Sequence, residues 1–145
     1  MNGTERVKLS KVIEKMQLTN LTPDVDTSGI WLHIPEVNRP ALQLTGFYNQ
    51  FDNDRIQIIG NVEYSYLSSL SETDRYERYM QLLSSNIPCL VFCRDLEPEA
   101  KVIELATKYK IPILKSKAAT SAFMAEVIRW LNVQLAPCIV IHGVL

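Results

Sequence analysis

The chain has 145 residues, 47% of them hydrophobic and 21% charged, with a formal net charge of −1. That length suits one domain burying about two-thirds of its unfolded surface around one core, and the composition excludes a disordered or low-complexity chain. Near-neutral charge argues against nucleic-acid binding, no run approaches the ~18 apolar residues of a membrane span, and three cysteines in apolar runs read as reduced thiols rather than a disulfide framework.

Leu9, Val12, Ile13 and Met16 place one apolar face on a helix across Val7 to Met16. Leu18 to Val25 is turn-rich, and Ile30 to Ile34 reads as a short strand closed by Pro35. Glu36 to Asn53 is the least regular segment, with turns at Asn38-Arg39-Pro40 and Gly46. Arg55 to Ile59 is a strand, and Gly60-Asn61 starts a helix across Val62 to Leu70. Ser71 is the expected N-cap of a second helix from Glu72 to Leu83.

From Pro88 the pattern is cleaner. Pro88 to Cys93 is a continuous apolar run, as expected of a strand buried on both faces and ended by Arg94-Asp95. Pro98 is expected in the first turn of a helix whose buried stripe is Val102, Leu105, Ala106 and Tyr109. Pro112 to Leu114 forms the next strand. Thr120 or Ser121 then caps a long helix with an inner line of Met124, Ile128, Leu131 and Leu135. Cys138 to Ile141 reads as one more buried strand, close to the last residue, Leu145. The chain therefore reads as the front part of a longer protein, with a first domain over 1–136 and the first strand of a second over 137–145. Alternating strands and helices give an α/β fold with parallel strands, a mixed sheet between two helical layers.

The chemistry-bearing residues form no obvious constellation. His33 and His142 are far apart, and His33 reads as a packed or edge histidine. Cys89 and Cys93 lack zinc spacing and a second ligand pair. Asp24, Asp26, Asp52 and Asp54 sit in turn-like segments, where aspartate bonds its own backbone. Lys108, Lys110, Lys115 and Lys117 read as a solvated helix end and strand, and Tyr64, Tyr66, Tyr76 and Tyr79 as helix residues that pack or face solvent. No glycine-rich loop is followed by a lysine.

The stretch from Glu36 to Tyr48, Glu-Val-Asn-Arg-Pro-Ala-Leu-Gln-Leu-Thr-Gly-Phe-Tyr, resembles the "(S/N)RPGLxxxGYF" stretch of HPr kinase/phosphorylase, the bacterial serine kinase of the phosphocarrier HPr. Ala41 stands where the family has glycine. Asp54 to Gly60 is similar to the family's "ERxQLLG", and the strands Pro88 to Asp95 and Pro112 to Ser116, with Thr120-Ser121, continue the match. His142-Gly143-Val144-Leu145 matches the "HGVL" that opens the kinase domain. The resemblance implies a three-layer α/β/α domain like the N-terminal domains of murein ligases, with regulatory or assembly duties. It implies a cytoplasmic parent enzyme that phosphorylates a serine of HPr with ATP or pyrophosphate, and removes that phosphate with inorganic phosphate, in carbon catabolite repression. HPr is the implied partner, and a homo-oligomer, a hexamer in the family, the implied assembly. ATP and Mg²⁺ belong to the kinase domain; no cofactor is expected within these 145 residues, which alone should be inactive. His142 is the one implied catalytic residue, steadying a phosphoryl group, with packing between the two domains as the alternative role. The competing expectation is a regulatory ligand-binding module of the same fold attached to a different enzyme.

Overall fold

A computed structural model describes residues 5–137. The strand expected across Cys138 to Ile141, the third cysteine and His142 lie outside the described residues. The elements in chain order are β1 (Val7–Lys8), α1 (Leu9–Lys15), β2 (Thr19–Asn20), β3 (Trp31–Leu32), β4 (Val37–Asn38), α2 (Ala41–Leu44), β5 (Ile56–Ile59), α3 (Asn61–Ser69), α4 (Glu72–Leu83), β6 (Leu90–Phe92), α5 (Ala100–Tyr109), β7 (Ile113–Lys115) and α6 (Thr120–Gln134).

Five strands form one mixed sheet in the order β2-β7-β6-β5-β4. β4, β5, β6 and β7 are parallel, with Val37 opposite Ile56, Ile58 opposite Val91, and Val91 opposite Leu114. β2 runs antiparallel along the outer edge of β7. The short strand expected around Trp31 does not join this sheet. It pairs with Val7–Lys8 in a separate two-stranded ribbon, so the first helix begins at Leu9 rather than Val7.

Side chains alternate across the pleat and feed two cores. Ile56, Ile58, Cys89, Val91, Cys93 and Leu114 face the layer made by α1 and α6. Ile59, Leu90, Phe92 and Ile113 face the layer made by α2 to α5. Helices on both faces explain why β5 and β6 are buried throughout their length and carry no polar alternation, apart from Gln57. Gln57 is fully buried but not orphaned. Its amide nitrogen donates to the carbonyls of Arg55 and Asp52, and its oxygen accepts from Asn38, 2.7 Å away. This network ties the otherwise irregular segment around β4 to the sheet.

Three helix details depart from the sequence reading. α6 buries Thr120, Phe123, Val127 and Leu131, while Met124, Ile128 and Leu135 pack only partly. The helix is apolar over much of its circumference, so periodicity alone did not fix the centre of its face. Its N-cap is Ala119, one residue earlier than expected. Pro98 is buried ahead of α5, whose N-cap is Glu99, so the proline sets the entering loop instead of the first turn. By contrast Ser71 caps α4 as expected, its hydroxyl accepting from the Asp74 N–H at 3.2 Å.

Candidate functional site at the carboxyl ends of the parallel strands

Each parallel strand ends at the same edge of the sheet, where open α/β sheets gather loops and helix N-termini. Arg39 follows β4, Gly60 follows β5, Arg94 and Asp95 follow β6, and Ser116 to Ala119 lead from β7 into α6. The last loop crosses over the end of β6. The Arg94 N–H donates to the Ala118 carbonyl and the Asp95 N–H to the Ser116 carbonyl, both at 2.8 Å. Arg94 and Asp95 take φ of 58° and 57°, the left-handed geometry that lets β6 stop and turn back on this loop.

Gly60 lies at the centre of the edge. A Cβ built there would stand 2.6 Å from the Arg39 terminal nitrogen and 2.8 Å from the Thr120 Oγ1. The absence of a side chain is thus what lets the β4 loop and the α6 N-terminus meet over the start of α3. Glu63, in the first turn of α3, completes the group. Its carboxylate accepts from the Gly60 N–H and from Arg39, each at 2.8 Å, and its side chain is 2% exposed against 35% for Arg39. A carboxylate at a helix N-terminus, held by a backbone N–H and a guanidinium, is stabilised by both partners.

Two polar atoms in this group have no partner. The Arg39 Nε and the Thr120 Oγ1 are both buried without a hydrogen bond. Cys93 lies beneath them on the α6 side of β6. Burial first, with Glu63 adding to it and Arg39 and Arg94 opposing it, pushes its thiol up to about 11. Cys89, on the same face, is pushed up to about 12 by burial alone. Both are protonated packing residues at neutral pH.

Among the other sequence candidates, His33 is exposed, and Asp26 caps its own turn through the Ser28 N–H, which with the Ser28 hydroxyl lowers its pKa. Asp52 pairs with Arg55. Tyr79 is buried, and Tyr64, Tyr66 and Tyr76 pack partly against the same core. The lysine group divides: Lys115 pairs with Asp95 and Glu97, whereas Lys117 stays exposed on the loop before α6. Arg39, Gly60 and Thr120 are among the positions that carried the family resemblance, and the fold brings all three to one point. Glu63 was missed, although a carboxylate three residues after a glycine at a helix start is a readable capping signal.

Residues 7–131 match the family model described as HPr Serine kinase N terminus. The chain belongs to that family. Curated relatives agree: the HPr kinase/phosphorylase of Lachnoclostridium phytofermentans is 51% identical over 96% of this chain. That of Clostridium acetobutylicum is 36% identical over 97% of it. In both cases the chain spans 45% of the relative's length. Among solved structures, the CBS and DRTGG domains of the regulatory region of Clostridium perfringens pyrophosphatase superpose with a TM-score of 0.54 at 16% identity, covering 90% of this chain and 47% of that one. At that identity the likeness concerns the fold alone, and it agrees with the three layers of this HPr kinase N-terminal domain.

Proposed function

We propose that this domain serves an HPr kinase/phosphorylase about twice its length, as a regulatory or assembly domain for an enzyme that phosphorylates and dephosphorylates a serine of HPr. The observation that carries the reading is the 51% identity, sustained over 96% of the chain, to a protein named for that activity. Phosphoryl transfer needs a phosphate cradle, a cation and positioned metal ligands. The sequence has no glycine-rich loop with a following lysine, and no group of three metal-ligating side chains is gathered among the described residues, which supports placing Mg-ATP elsewhere in this reading. The chemistry is therefore assigned to the portion of the relatives' length that this chain does not span.

In this reading His142 contributes a hydrogen bond to a phosphoryl group in the whole enzyme, HPr is the protein substrate, and the enzyme works in the cytoplasm as a homo-oligomer. Among the described residues no helix is long and apolar enough to cross a membrane. The test compares the isolated 145-residue chain with a longer protein that carries it as its N-terminal part. Incubated with HPr and Mg-ATP, the longer protein should form phosphoserine and the isolated chain should not. Micromolar nucleotide binding by the isolated chain would overturn the division of labour.

A further inference from the structure

We propose that the edge over Gly60, where the first turn of α6 meets the Arg39 guanidinium, is a binding site for a phosphate group. Three observations converge on it. The cap of α6 is Ala119, which has no side-chain oxygen, and the first intrahelical bond at this end is the one from Phe123 to Ala119. The N–H groups of Thr120, Ser121 and Ala122 therefore lack intrahelical partners at the positive end of a 15-residue helix.

The second observation is Thr120 itself. The residue is 5% exposed and its Oγ1 has no hydrogen-bond partner, yet it faces the point above Gly60 that Arg39 also reaches. A buried hydroxyl left unbonded costs about 1–3 kcal/mol, so its persistence calls for an acceptor that arrives from outside. Arg39 is the matching cation. One terminal nitrogen is held by Glu63, its Nε is buried and unbonded, and the side chain as a whole is 35% exposed.

The third is charge. Glu63 is committed to Arg39 and the Gly60 N–H, and Asp95 and Glu97 are committed to Lys115. Arg94 and Lys117, exposed on the loops at this edge, take part in no ion pair among the described residues. The uncommitted charge at this edge is thus positive. Backbone N–H groups, one hydroxyl and a cation gathered at one edge suit an oxyanion with several acceptor oxygens.

The experiment is an amide NMR titration of the 145-residue chain with inorganic phosphate and, separately, with glycerol phosphate, each against chloride at equal ionic strength. Saturable shifts confined to Gly60–Glu63 and Ala119–Phe123, absent with chloride, are expected. Tighter binding of the ester identifies a phosphate monoester as the ligand class, and equal or tighter binding of inorganic phosphate identifies the free ion. Thr120→Val should weaken binding about tenfold or more, the loss of one hydrogen bond to a charged group, without lowering the melting temperature, because the deleted hydroxyl is unbonded in the free chain. Arg39→Lys should weaken it further. Shifts matching those of chloride, shifts centred elsewhere, or a Thr120→Val variant that binds as wild type would overturn the site. So would a Thr120→Val variant that loses stability in proportion to binding.

Discussion

Gly60 is the position where a single methyl group should do the most damage at the carboxyl edge. With atoms of Arg39 and Thr120 2.6 and 2.8 Å from its missing Cβ, Gly60→Ala must displace the guanidinium or the α6 N-terminus. Overpacking of this kind costs about 1–3 kcal/mol. Urea unfolding should show that loss; an unchanged midpoint would mean the two neighbours relax freely. Glu63→Ala removes two charge-assisted bonds and should cost about 1.5–3 kcal/mol, discounted from the buried-pair range because Arg39 stays partly in water. The thiols give a test by pH. Cys89 and Cys93 hold their protons more tightly folded, at about 12 and about 11, than an unfolded thiol at about 8.5 does. The stability they contribute is complete below about pH 8.5 and is lost as pH rises toward the folded values. Between pH 9 and 11 the stability of Cys89→Ala should fall less steeply than wild type, by about 1.4 kcal/mol per pH unit. Alkylation at pH 8 followed by peptide mapping should leave both residues unmodified until the chain is unfolded.

Among the elements, α6 separates the two readings of its inner face. Phe123 and Val127 are fully covered, whereas Met124 and Ile128 pack at the flank. Phe123→Ala should therefore cost about 3–5 kcal/mol and Met124→Ala clearly less; the reverse order would restore the face expected from sequence. This helix also shows where sequence reasoning runs out. Apolar runs such as Pro88 to Cys93 announced β6, because burial on both faces leaves a signal that depends only on local composition. The parallel pairing of β6 with β7 followed from the intervening helix. Helix α6 and its C-cap carry large apolar residues at 123, 124, 127, 128, 130, 131, 133 and 135, so its face is decided by which neighbours it meets. β2 and β4, each two residues long, are strands only because β7 and β5 lie beside them. Nothing in Thr19-Asn20 or Val37-Asn38 by itself distinguishes them from the turns around them. The site was legible as separate motif positions, Arg39, Gly60 and Thr120, but their meeting depends on the loop from β7 crossing the end of β6. Glu63 became visible only once Arg39 was placed beside it.

At the scale of the whole molecule, the sheet, its two helical layers and the edge over Gly60 form a scaffold that belongs to the HPr Serine kinase N terminus family. On the role proposed for His142, His142→Ala in the longer protein should lower phosphoryl transfer about tenfold or more, the worth of one charge-assisted hydrogen bond, and lower it more than it lowers stability. Activity per folded molecule within about twofold of wild type, a difference of ~0.4 kcal/mol, would remove His142 from the chemistry. The most direct measurement is phosphoserine formation on purified HPr by a longer protein carrying this chain at its N-terminus, with Mg-ATP as donor and the isolated 145-residue chain assayed in parallel. Seryl phosphorylation by the longer protein, reversed when inorganic phosphate is added in excess and absent with the isolated chain, is the expected result. Failure of the longer, folded protein to phosphorylate HPr would contradict the assignment.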